Sequence, residues 1–298
     1  MQVSKLAFLA AMANPAAMFS IPSCSWDVHV HIFDPEPHPY VPDSLYTPPA
    51  STVPQFLANV STHNAVVVMA APDGTNTASV VDHMKQLREA GREARGVVFL
   101  DLEQMTPCKL RRLDQEGVRS VRFNSKNAGD RLPELWAKGI EAIVAAGVKW
   151  SIEAVIFDLA LWHSLIPLMR ASYRDHGTVF VADHILGLQP SDIESEEFAD
   201  LLKLVEDGVL VVKISGLYKY EREPRAMMPI VKKIMEAREG RGGMWASDWP
   251  HVVPTAGSTS LYEVDLEEHM ALLKGVCDEL PDGTWEKLMR DNAAQVYA

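Results

Sequence analysis

The sequence predicts a single-domain α/β protein, a (β/α)8 TIM barrel. Three observations predict it. Eight short, apolar, β-branched runs recur along the chain, several of them nearly continuously apolar, as strands buried on both faces should be. Amphipathic helical patterns separate them. The main competitor, an open doubly wound sheet, would be expected to carry a glycine-rich phosphate turn after its first strand, and none is present. A length of 298 residues suits one such barrel.

The runs are Trp26 to Ile32, Ala65 to Ala70, Gly96 to Leu100, Val118 to Phe123, Val148 to Ile152, Thr178 to Ala182, Val209 to Ile214 and Met244 to Ala246. Helical spacing appears over Val53 to His63, with Phe56, Leu57 and Val60 on one face, and over Ala78 to Ala90. Pro133 to Ala146 opens on a proline that a first helical turn tolerates and closes at Gly147. Asp158 to Tyr173, Asp192 to Glu206, Pro224 to Glu239 and Asp265 to Leu280 complete the alternation, with a kink expected at Pro167. The proline-rich stretch Pro35 to Pro54 is too long for a simple βα turn and reads as an active-site loop. Residues 26–298 form the barrel. Residues 1–25 form an N-terminal extension or, given Lys5, the apolar run Leu6 to Ile21 and the small-residue site Ala11-Met12-Ala13, a signal segment. The two readings imply a cytoplasmic and a secreted protein respectively, the first being preferred.

Composition narrows the function. There are 28 basic and 40 acidic residues, a net charge of −12, which repels phosphate backbones and makes nucleic acid an unexpected partner. No other stretch approaches the ~20 apolar residues of a membrane span. Cys24, Cys108 and Cys277 are widely spaced and form no thiolate zinc pattern. A small molecule is the expected partner, with a homodimer allowed.

In a barrel, function sits at the C-terminal ends of the strands. The first strand ends in Asp27-Val28-His29-Val30-His31, and period-two alternation puts His29 and His31 on one face. The sixth ends in Asp183-His184 and the eighth runs into Ser247-Asp248-Trp249-Pro250-His251. His29, His31, His184 and Asp248 make a set suited to one divalent ion, Zn²⁺ by preference. The same set can act without metal, the imidazoles polarising a carbonyl while Asp248 accepts a proton from water. Arg122 is a charge near the end of a largely apolar strand that also carries Arg119. It either pairs with a structural carboxylate or grips a substrate carboxylate, with Asn124 as a neighbour. Glu153, at the end of the fifth strand, could bridge a second metal or support a ligand, but too few histidines are placed for a binuclear site and it reads first as a surface residue. Tyr40, Tyr46, Tyr218 and Trp249 are candidate aromatic walls, and Lys219 and His251 are further candidates for substrate contact.

Taken in order, these motifs resemble the amidohydrolase superfamily, and within it the group that contains 2-pyrone-4,6-dicarboxylate lactonase. Val121-Arg122-Phe123-Asn124, Lys213-Ile214-Ser215-Gly216 and the ending Asp291-Asn292-Ala293-Ala294-Gln295-Val296-Tyr297 are similar to further elements of that group. The resemblance implies lactone or ester hydrolysis. His29, His31 and His184 would be electrophilic groups or metal ligands, Asp248 the base and Arg122 a carboxylate binder, and members occur with and without zinc. The chain departs from the pattern at Ile185-Leu186-Gly187-Leu188 and at Leu217-Tyr218-Lys219, where the group carries more basic residues. A less charged lactone than a pyrone dicarboxylate is therefore expected. Two other classes fit the same residues: a metal-dependent decarboxylase of an aromatic or enoic carboxylate held by Arg122, and an inactive barrel that binds a small molecule.

Overall fold

A computed structural model describes residues 19–99, 103, 106–255 and 258–298. The signal-segment reading therefore falls largely outside the described residues. At their start, Ser20 accepts a hydrogen bond from Trp285 Nε1 at 2.9 Å, and Phe19 meets the same indole edge-on.

Eight parallel strands form one sheet in sequential order: β1 (Trp26–Val30), β2 (Asn64–Val68), β3 (Ala94–Phe99), β4 (Val118–Asn124), β5 (Ser151–Val155), β6 (Phe180–Ala182), β7 (Leu210–Ile214) and β8 (Gly243–Trp245). The sheet closes on itself just past β8. Val30 bridges Trp249 in parallel, Asp248 N donates to His29 O at 3.1 Å, and His31 N donates to Trp249 O at 2.9 Å. The result is a (β/α)8 barrel. Its main core lies between strands and helices, where Trp136, Trp162, Phe180 and Phe198 are fully buried. A smaller cluster includes Val66, Val68, Val97, Val181, Val211 and Tyr297.

Several elements differ from their sequence expectation for local reasons. β5 begins at Ser151, three residues later than expected, because Gly147 ends the preceding helix in a left-handed turn and the chain needs Val148 to Trp150 to reach the sheet. This moves Glu153 to the middle of the strand. The expected helix over 158–173 is two, Leu159–Ser164 and Ile166–His176, divided just before Pro167. The helix Pro107–Glu116 has no counterpart in the expected set. Only Leu110 and Leu113 of it are buried, so its apolar stripe is thin, and its real signals are the Thr106 cap, Pro107 at its start and Gly117 at its end. A hairpin, Val252–Thr255 paired with Ser258–Leu261, was also unforeseen; it follows β8 beside the mouth.

Candidate active site

The C-terminal ends of β1, β6, β7 and β8 converge on one cluster. His29 Nε2 and His31 Nε2 are 3.2 Å apart, their rings edge-to-face at 88°. The His29 and His184 ring centroids are 4.7 Å apart. Asp248 Oδ1 lies 3.8 Å from His29 Nε2 and 3.7 Å from His184 Nε2.

Backbone geometry builds this arrangement. His184, Ile185 and Leu186 have φ of 48°, 50° and 64°, and Asp248 and His251 have φ of 62° and 65°. Positive φ in non-glycine residues is costly and tends to gather where side chains are held for function. Gly216 makes room for His184, since a Cβ there would sit 2.9 Å from His184 Nδ1. Asp27 ties the first and last strand ends together. Its Oδ1 accepts from His29 N and from Ser247 N at 3.2 and 3.0 Å.

Hydrogen bonds set the protons. His31 Nδ1 donates to Val68 O at 2.8 Å, so its Nε2 carries a lone pair. Lys219 Nζ donates to His184 Nε2 at 3.3 Å, which places the proton of His184 on Nδ1, facing Ser215 Oγ at 3.0 Å. Lys213 Nζ donates to His29 Nδ1 at 3.2 Å, which leaves His29 Nε2–H to donate to His31. Burial holds all three imidazoles neutral. It lowers His31 to about 4, aided by the Arg122 charge, and His184 to about 3, aided by Lys219. His29 is also lowered, by burial first, although Asp183 opposes this. For Asp248, burial would raise the pKa. The Lys219 ammonium, 2.5 Å from Oδ2, and the surrounding imidazoles outweigh it and hold the carboxyl well below the usual range.

Beneath the histidines lies a wholly buried ionic group. Lys213 Nζ is 2.6 Å from Glu153 Oε1 and 3.3 Å from Asp183 Oδ1. Arg122 Nε donates to Asp183 Oδ2 at 2.7 Å, and Tyr297 donates its hydroxyl to Glu153 Oε2 at 3.1 Å. Burial and the Asp183 charge raise Glu153. Asp183 is held low against its own burial by Lys213 and Arg122.

The family model described as Amidohydrolase matches residues 26–298. The chain belongs to the amidohydrolase family. It is a hydrolase of that family. It is 32% identical over 250 residues to a 4-sulfomuconolactone hydrolase of Rhizobium radiobacter, covering 78% of each chain. It is 24% identical over 247 residues to the enzyme of that name from Hydrogenophaga intermedia, covering 78% of this chain and 77% of the relative. In fold it is similar to a probable 2-pyrone-4,6-dicarboxylic acid hydrolase of Acinetobacter baumannii, with a TM-score of 0.72 and 19% identity over 92% of this chain and 99% of that one. The putative enzyme of the same name from Pseudomonas putida gives a TM-score of 0.72 and 22% identity over 92% and 97%.

Most sequence-derived candidates of this amidohydrolase meet in the cluster: His29, His31, His184, Asp248, Tyr218 and Lys219. Tyr218 donates its hydroxyl to Asp248 Oδ2 at 2.6 Å. His251 stands at the edge, 5.8 Å from the Tyr218 ring, its buried Nε2 without a hydrogen bond among the described residues. Three candidates sit differently. Arg122 makes the structural pairing that was one of its two readings. Asn124 accepts from Lys126 N and caps a short helical turn. Trp249 packs edge-on against Phe56. Tyr46, on the proline-rich loop, interacts with the charges of Arg122, Asp73 and Asp248, and burial raises its hydroxyl to about 12. Tyr40 on the same loop donates to Pro48 O. Lys213 was missed as a site residue; its signal was a lone lysine in the apolar run Leu210–Ile214.

The amidohydrolase's residues fit a divalent metal. His29, His31 and Asp248 offer atoms all within 4.8 Å of one another, and His184 Nε2 lies 3.7 Å from Asp248 Oδ1. Asp183 Oδ1 is buried, makes no hydrogen bond among the described residues, and lies 3.2 Å from His29 Nδ1. It is thus placed to accept an Nδ1 proton if His29 turns its Nε2 lone pair to a metal, an outer-shell role usual for metal-bound histidine.

Proposed function

We propose that this hydrolase opens a lactone or comparable cyclic ester, with Asp248 as the base that activates water. The observation that carries the reading is the facing of one ionised, anchored carboxylate by three neutral imidazoles at the barrel mouth. The lactone hydrolases among its relatives support it.

The chain's own groups divide the work. Lys219 and Tyr218 anchor Asp248 Oδ2, which leaves Oδ1, on the histidine side, to take a proton from water. The hydroxide attacks the acyl carbon, and the ring C–O bond breaks. Protonated Asp248 returns the proton to the departing alkoxide, which restores the carboxylate. The Lys219 ammonium is a donor at the mouth for the negative charge that develops on the carbonyl oxygen. His29, His31, His184 and Asp248 would hold a divalent metal, Zn²⁺ by donor type, and it would supply Lewis-acid polarisation of the ester carbonyl.

The test is Asp248→Asn assayed on a lactone panel, with aromatic carboxylates beside it. Turnover of a lactone by the native chain should fall about 10²–10⁴-fold in the variant, the usual weight of a general base. Near-native lactone opening by the variant would remove Asp248 from this role. Release of CO₂ from a carboxylate, with no lactone opened, would replace the reading by decarboxylation.

A further inference from the structure

The opposite end of the barrel carries a cavity of about 560 Å³, within the range of small-molecule sites. Ser151 opens β5, Val179 stands one residue before β6, and Gly208 stands two before β7, so these lining residues mark the N-terminal ends of the strands. The mouth with its histidines lies at the other ends.

Its charge runs against that of the whole chain. The net charge is −12, yet no aspartate or glutamate lines this cavity, while Arg238, Arg241, Lys149 and His176 do. Arg238 is half-buried, and no hydrogen bond or ion pair of its side chain is found among the described residues. Nearby carboxylates are already engaged. Asp207 takes Arg170 at 2.5 Å, and Glu239 faces Arg241 at 3.7 Å. The Arg238 guanidinium is seated over Gly208. A Cβ there would meet its Cζ and one Nη at 2.7 Å and the other Nη at 2.9 Å, and the φ of +74° also favours glycine.

A second observation is independent of charge. Ser151 lines the cavity, and its Oγ is buried with no hydrogen-bond partner among the described residues. Buried hydroxyls are normally paired, so an unpaired one in a cavity-lining residue is a donor that a turn of its side chain would bring to a ligand. Val179, Val211, Val296 and Tyr173 supply apolar surface beside it.

We propose that this cavity is a second ligand site, which takes a small organic carboxylate with an apolar body of about one aromatic ring. The planar fork of Arg238 matches a carboxylate. Ser151, once its hydroxyl turns to the cavity, hydrogen-bonds the same group, and the valine wall receives the ring.

The probe is 4-bromobenzoate, with neutral 4-bromobenzyl alcohol as control. Crystals of the full chain soaked in the acid should show the bromine anomalous signal at the Arg238 cavity. Calorimetric affinity at that site should fall at least about tenfold in Arg238→Gln, the scale of one lost charged hydrogen bond, and in Gly208→Ala, which displaces the guanidinium. Both variants should keep lactone turnover at the mouth. The alcohol should bind at least about tenfold more weakly than the acid. No bromine at this cavity, unchanged affinity in Arg238→Gln, or equal binding of the alcohol would each overturn the proposal. Because occupancy is located by diffraction, failure here leaves the lactone reading of the mouth standing, and the reverse.

Discussion

Lys219 Nζ lies 2.5 Å from Asp248 Oδ2 and 3.3 Å from His184 Nε2, so one ammonium bridges the carboxylate and an imidazole of the candidate site. It lowers the proton affinity of both. Lys219→Met should therefore move the acid limb of kcat/KM upward, by about 1–3 pH units, the usual effect of one opposite charge in contact with a carboxylate. A limb that does not move would mean that this ammonium does not hold His184 neutral during turnover.

The native acid limb should itself be low. His31 sits at about 4 and His184 at about 3 because both are buried beside cations. Both stay neutral until the pH falls through those values. Activity should be flat from about pH 5.5 upward and fall near pH 4, well under the ~6.5 of free histidine. A pH-rate profile breaking at 6.5 would contradict the neutral cluster.

Asp27 gives a stability prediction of defined sign. It is fully buried, its Oδ2 has no hydrogen bond among the described residues, and burial raises its pKa to about 7. A pKa raised on folding gives stability that is fully present below the unfolded value of ~3.9 and is lost as pH rises through the folded value. Asp27→Asn keeps an acceptor for His29 N and Ser247 N without the charge. In chelator, urea unfolding should show the variant gaining on the native chain by about 1–3 kcal/mol more at pH 8 than at pH 5. An equal difference at both pH values would show that Asp27 is not held protonated.

The buried ionic group should be intolerant of losing its cation. Lys213→Met leaves Glu153 and Asp183 facing each other with Arg122 alone, and should cost about 3–5 kcal/mol. Tyr297→Phe removes only one hydrogen bond to Glu153 and should cost about 1–3 kcal/mol. Urea midpoints in the reverse order would refute this account of the network.

The barrel was legible because its strands are buried on both faces and repeat, and once strand ends were placed, His29, His31, His184 and Asp248 followed. What stayed hidden depended on register and partners. Glu153 reads as peripheral from sequence, since it falls at a strand end with too few histidines around it for a second metal; a start at Ser151 puts it in the barrel beside Lys213. Lys213 itself looked like a strand lysine, since nothing local announces a carboxylate 60 residues away in sequence. Arg122 could be narrowed to two roles, and nothing local in the sequence shows that Asp183 stands beside its Nε. Asn124 and Trp249 are near in sequence to site residues, yet a cap and an aromatic contact claim their side chains.

The closure between β1 and the segment after β8 has a consequence for how this protein reports on itself. His29 and His31 come from the first strand and Asp248 from beyond the last, and they meet only where His29 O and Trp249 O accept their cross-seam hydrogen bonds. No fragment lacking either edge, and no intermediate with seven strands assembled, contains the working set. Activity is therefore a gauge of completed ring closure, a more stringent one than helix content, which an open array of the same units would largely retain.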